Sequence, residues 1–215
     1  MSIGEARPSA ASAIWNPRGW RDLLSDFWRA RELIVTLAYR DIAVRYRHSF
    51  LGYLWAFILP VVTVGIFTFL TGRQVLPIGE TPLPYPLFAL CSLIVWQLFS
   101  NVLSACTQSL ASAGSLVTRI NFPKEALVFG AAGQPLVDFA IKLIPVVVLF
   151  LYFGVTPHPA LLFMPLVLLP VVLLAIGLGF FLSIANLLTR DVANLVGMFA
   201  TFGMFAAPVL YPPPV

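Results

Sequence analysis

Residues 51–72, LGYLWAFILPVVTVGIFTFLTG, contain no Asp, Glu, Lys, Arg or His. A hydrocarbon core about 30 Å thick takes roughly 20 helical residues to cross, so this run is long enough to span it. Pro60 lies inside the run and is expected to bend it, which a membrane helix tolerates where neighbours satisfy the freed carbonyl. The rest of the chain repeats the pattern. Further apolar runs occupy about residues 86–110, 126–152, 160–188 and 192–208. They are separated by PLPYP at 82–86, a polar stretch around Arg119 and Lys124, GVTPHP at 154–159, and the pair Arg190-Asp191. The fourth run exceeds the length required, and Pro165 and Pro170 within it suggest a kink or tilt.

The expected fold is therefore all-α, a polytopic membrane helix bundle of about five helices over residues 51–215. Residues 1–50 form a cytoplasmic N-terminus with an amphipathic interfacial helix. The Pro run at 212–214 reads as a truncated end, one helix short of a return to the starting side.

Composition agrees. Apolar residues make up 60% of the 215 and charged residues only 10%, where soluble domains carry about 25% charged. Of the 22 charged residues, 13 fall in residues 1–50. The net charge of +4 leaves no basic footprint for nucleic acid. The first apolar run begins near Leu33, after charges of both signs, and no small-residue cleavage site follows, so a cleaved signal peptide is not expected. Basic residues orient the spans. With the N-terminus inside, eleven lie on cytoplasmic segments and only Arg73 outside, leaving Lys142 within the bilayer.

The N-terminal segment is amphipathic in two stretches. Trp20, Leu23, Leu24, Phe27 and Trp28 share one face of the first. In the second, Tyr39, Ile42, Ala43, Tyr46 and Phe50 line one side, while Arg40, Asp41, Arg45 and His48 line the other. Such a helix fits the headgroup plane; packing on a soluble partner is the alternative, and each could use one face.

Little here can do covalent chemistry. No phosphate-binding loop, nucleophile–base set, metal-ligand spacing or carboxylate pair stands out, so no catalytic, metal or cofactor residue is assigned. Cys91 and Cys106 lie on one span about 22 Å apart and cannot pair within it. Asp138 and Lys142 are the ionisable groups inside a span, four apart with the acid first. They suit a polar contact in a transport path or a conformational latch, or else a mutually neutralised pair near the cytoplasmic side with Lys142 snorkelling. Small residues punctuate the last two runs, and Gly179-x-x-x-Ser183 permits close helix approach, within the chain or across a dimer seam.

The stretch Leu37-Ala38-Tyr39-Arg40-Asp41-Ile42-Ala43-Val44-Arg45-Tyr46-Arg47, followed by Leu51-Gly52-Tyr53-Leu54-Trp55 and Pro60, resembles the start of type-2 ABC exporter permeases. The subgroup it is most similar to exports lipid-linked polysaccharides such as O-antigen, capsule and teichoic acid. Arg119-Ile120-Asn121-Phe122-Pro123-Lys124-Glu125, Leu188-Thr189-Arg190-Asp191-Val192 and Ala207-Pro208-Val209-Leu210-Tyr211-Pro212 fit in order, with Thr189 standing where many relatives have Tyr.

The resemblance implies six membrane helices, a homodimer and a separate ATP-binding-cassette ATPase subunit that carries ATP and Mg. It also implies a coupling helix docking on that ATPase, which maps onto Ser115, Arg119, Asn121, Phe122, Pro123, Lys124 and Glu125. Tyr39, Arg40, Asp41, Arg45 and Tyr46 would belong to the interfacial helix, and Arg190 and Asp191 to a cytoplasmic turn. Membrane lipid, a second copy and a lipid-linked glycan are the remaining expected partners, in a bacterial inner membrane with the N-terminus cytoplasmic. The rival readings are an ABC exporter of drugs or other hydrophobic molecules, an ion-coupled carrier that would depend on Asp138, and a membrane-embedded enzyme.

Overall fold

A computed structural model describes residues 20–47, 54–73, 81, 83–114, 124–207, 209 and 211; side chains are described over 31–44, 58–73, 81, 83–114, 125–207, 209 and 211. Among the described residues the fold is all helical: α1 Trp20–Arg47, α2 Leu54–Gly72, α3 Tyr85–Ala113, α4 Lys124–Tyr152, a 3-10 turn Pro159–Phe163, α5 Met164–Leu188 and α6 Asp191–Ala206. Helices α3, α4 (from Glu125) and the continuous run Pro159–Leu188 are long and apolar enough to cross a membrane. The described apolar part of α2, Ile58–Gly72, and α6 are shorter. The last long span therefore starts as a 3-10 turn, where the sequence suggested α-helix from Ala160.

Helix ends follow local chemistry. Pro84 and Pro86 start α3, with Leu87 N–H and Phe88 N–H both donating to the Pro84 carbonyl at 2.9 and 3.1 Å. Gly114, at φ +49°, ends it in a conformation that disfavours a side chain. At the far end of α4, Gly154 (φ +63°) donates to Leu151 O, and Val155 N–H donates to Phe150 O at 3.1 Å. This pair of bonds is a Schellman stop. His158 Nδ1 then accepts from Ala160 N–H at 3.2 Å and caps the 3-10 turn. Within α2, Thr63, Thr68 and Thr71 each return their hydroxyl to the carbonyl four residues back at 2.7–2.8 Å, so these three hydroxyls do not face lipid unsatisfied.

Helix α3 sits at the centre, packed by α2, α4, α5 and α6, while α1 lies along α4. Leu87, Leu90, Leu93, Ile94, Val102 and Cys106 of α3 are fully buried. By contrast Leu162 of the 3-10 turn and Leu166, Leu173, Phe181 and Leu188 along α5 are exposed, an apolar surface suited to lipid rather than water. Because lipid is as apolar as the core, close packing and hydrogen bonds must hold the helices together. Glycines supply the approach. Gly179 on α5 lies directly against Cys106 on α3, and Ser183 is fully buried in the same interface. The small-residue spacing thus packs α5 within the chain. Gly203 on α6 sits under Trp96, where a Cβ would come within 2.7 Å of the ring.

Trp96 also donates Nε1–H to Ala200 O at 3.0 Å, and it stacks at a tilt on Phe199 with centroids 5.7 Å apart. Trp96→Phe keeps most of the ring and loses the bond, so a loss of about 1 kcal/mol is expected. Trp96→Ala should cost about 3 kcal/mol or more. Thermal unfolding of the two variants in detergent measures the difference.

Candidate functional site

Polar residues recur along one face of α3: Gln97, Asn101, Ser104, Gln108 and Ser112, at steps of four, three, four and four. Helix α4 answers with Gln134, Asp138 and Lys142, at steps of four. Between these rows and α1 lies a cavity of about 550 Å³, reached by Arg40, Asp41, Asn101, Ser104, Gln108, Gln134 and Asp138. Asn101, Gln108 and Ser112 are exposed, so the cavity is open. From Ser112 to Asn101 it follows α3 for about 16 Å, half the thickness of a hydrocarbon core.

The wall formed by α1 depends on two glycines of α4. A Cβ on Gly133 would stand 2.5 Å from that of Ala38, and one on Gly130 would stand 3.0 Å from that of Leu37. Ile34, Leu37 and Ala38 therefore seat α1 on α4, whereas Val35 and Tyr39 face outward at 67% and 73% exposure. This revises the expected faces in two ways. Helix α1 is one continuous helix and not two stretches, and Asp41 is half-buried at the cavity and not on a solvated side. Arg40 holds Asp41 Oδ1 through Nη2 and Nε at 2.8 and 3.0 Å. Arg45 and Tyr46 lie in α1, but their side chains fall outside the described residues, as does His48 entirely.

Asp138, which lines the cavity, and Lys142, one turn further along α4, are buried, 3% and 6% exposed. Asp138 Oδ2 accepts from Gln134 Nε2 at 3.0 Å, and Lys142 Nζ donates to Gln97 Oε1 on α3 at 2.7 Å. Lys142 thus points across the seam between helices instead of snorkelling to water. Asp138 lies fourteen residues into α4, about 21 Å along the helix. A separate, apolar cavity of about 620 Å³ is walled by Ile94, Val95, Val146, Val147, Phe150 and Met164 among others.

The end of the bundle where α3 stops and α4 starts carries the remaining expected residues. Ser115, Arg119, Asn121, Phe122 and Pro123 lie outside the described residues; Lys124 opens α4 with its side chain undescribed, and Glu125 is exposed in the first turn. Arg190 and Asp191 are exposed at the α5–α6 turn. That turn is pinned by a residue the sequence reading passed over. Asn186, 3% exposed, donates Nδ2–H to Thr107 O on α3 at 3.3 Å and accepts from Ala193 N–H at 3.1 Å. Ala193 is the third residue of α6, whose N–H has no partner within the helix. Asn186 therefore caps α6 from the preceding helix and ties the turn to α3.

Cys91 and Cys106 are both free thiols, and Cys106 Sγ donates to Val128 O on α4 at 3.4 Å, a packing role. Among the described residues no group of three metal-ligating side chains comes together.

Comparison of the sequence with known proteins identifies the family. The family described as ABC-2 type transporter matches residues 32–215. The chain is 28% identical over 193 residues to the O-antigen export system permease protein RfbA of Myxococcus xanthus, covering 88% of this chain and 72% of that protein. It is 27% identical over 183 residues to an RfbA of Klebsiella pneumoniae, covering 84% and 69%.

Proposed function

The chain belongs to the ABC-2 type transporter family, and from that premise we propose that it exports a lipid-linked polysaccharide outward across a bacterial inner membrane. Membership makes it a multi-pass membrane permease, a transport subunit without a catalytic domain or cofactor of its own, paired with an ATPase subunit. The observation that carries the substrate class is similarity to O-antigen export permeases over more than four-fifths of the chain. The polar cavity, open along α3 at Asn101, Gln108 and Ser112, supports the same reading, since a glycan needs hydroxyl-binding groups.

In this reading the N-terminus is cytoplasmic, as the basic residues argue. Two copies act together, and residues 115–125 dock on the ATPase. Closure of the ATPase on ATP pushes that segment, and α3 and α4, which flank it, carry the movement into the seam as rigid bodies. The Asn186 bonds carry it on to the α5–α6 turn. Asp138 and Lys142 serve as polar contacts of the moving helices and perform no covalent step.

Reconstitution with the ATPase tests this. Phe122→Asp removes an aromatic anchor from the docking segment and should weaken association roughly thirtyfold or more, with loss of coupled ATP hydrolysis. Unchanged co-purification and hydrolysis would remove the docking assignment. Deletion of the chain should strip glycan from the cell surface. Intact glycan with new drug sensitivity would move the chain to the hydrophobic-substrate exporters.

A further inference from the structure

The apolar cavity has its own chemistry and its own opening. Among the described residues every side chain lining it is apolar, apart from the thiol of Cys91. Leu143, Val147 and Leu151 follow one another by single turns along α4, and Val95 of α3 and Leu161 of the 3-10 turn line the cavity with them. Val147, Leu151 and Leu161 are also 56%, 77% and 44% exposed, so the cavity opens on the surface of the bundle. In a multi-pass membrane protein that surface meets hydrocarbon, not water.

Chemistry and dimensions select the occupant. Water is excluded, because a trapped water needs polar partners and the side chains of this wall supply none. An empty space of about 620 Å³ is disfavoured too, since its lining forfeits dispersion contacts that a flexible neighbour can restore. Leu143 lies nine residues before Tyr152, the last residue of α4, or about 14 Å along the helix. One leaflet contributes about 15 Å to a 30 Å hydrocarbon core, so the cavity is as deep as one leaflet and stops near the bilayer middle. Polar groups begin where it ends: Thr156 and His158 are exposed on either side of Pro157, which lines it.

We propose that this cavity holds one acyl chain of a bilayer phospholipid, drawn from the leaflet on the side of the α4–α5 connection. The lipid is a resident wedge between α3, α4 and the start of α5, and it is not cargo. The site makes no use of the polar cavity, and it stands whatever the chain exports, because it requires only that the protein span a membrane.

Photolabelling tests it without an export assay. The complex with its ATPase is placed in nanodiscs of phosphatidylethanolamine and phosphatidylglycerol, with a trace of phosphatidylethanolamine carrying a diazirine at the end of one chain. Irradiation should mark Leu143 at least as strongly as Leu169, which lies at similar depth on α5 and is 53% exposed to ordinary lipid. Joint replacement Leu143→Trp and Val147→Trp obstructs the deep part of the cavity. Labelling of Met164, across the cavity, should then fall roughly tenfold while that of Leu169 is unchanged. No adduct on Leu143 beside a labelled Leu169, or equal labelling of Met164 in parent and variant, overturns the proposal.

Two further measurements keep the answer decisive should the double variant fail to assemble. Mass spectrometry of the parent complex released from mild detergent should find a phospholipid retained by each copy of the chain, and its absence overturns the proposal. Oxidation of a Val147→Cys complex tests the rival occupant, a second copy seated on the same face. Cross-linking of the two copies through Cys at 147 would assign the cavity to that contact and overturn the lipid, whereas copies that stay separate agree with it.

Discussion

Gly179→Leu is expected to separate α3 from α5 and to cost about 3 kcal/mol or more, the upper range for overpacking a closed interface. The glycine lies against the Cβ and backbone of Cys106 and the carbonyl of Leu103, and neither helix backbone can give way without disturbing the bundle centre. Even Gly179→Ala should be costly, because the first carbon added is the one that collides. Gly177, two residues away, supplies the control: nothing lies within 4 Å of its added carbon, so Gly177→Leu should shift the unfolding midpoint little. Thermal unfolding of the detergent-solubilised protein and recovery of folded material after extraction provide the readout. Equal midpoints for Gly179→Leu and Gly177→Leu would show that α5 does not seat on α3 as described.

The second large effect is expected at Asn186. Asn186→Leu removes both bonds of a 3% exposed amide and strands the Ala193 N–H at the start of α6. An unsatisfied buried donor costs about 1–3 kcal/mol, and the lost bond to Thr107 adds to that. Asn186→Asp restores the acceptor for Ala193 but not the donor to Thr107, so it should recover only part of the stability. Proteolysis at the Arg190-Asp191 turn measures the local effect: cleavage should rise strongly in the Leu variant and moderately in the Asp variant. If both variants are as resistant as the parent, the capping role is wrong.

These residues show what could be read before the structure and what could not. The four long apolar runs after residue 80 correspond to helices near the expected bounds, because bilayer thickness sets their length and Pro and Gly set their ends. The polar row from Gln97 to Ser112 was also legible in principle, since its steps of four and three fall on one helix face. It escaped because only formal charges were weighed, and amides and hydroxyls carry none. Gly179 was recognised as small, but its partner was not. Nothing local in the sequence points from Lys142 to Gln97 or from Asn186 to Thr107, pairs separated by 45 and 79 residues.

Hydropathy and length thus sufficed for an all-helical membrane chain, and the ordered motifs for the family resemblance that the comparisons bear out. Tertiary structure alone decided that α1 leans on Gly130 and Gly133, that Lys142 reaches across to α3, and that α1, α3 and α4 enclose a polar cavity. The reason is geometric. Periodicity along a helix states which way a side chain points relative to its own axis, but only packing of several axes together states what it points at.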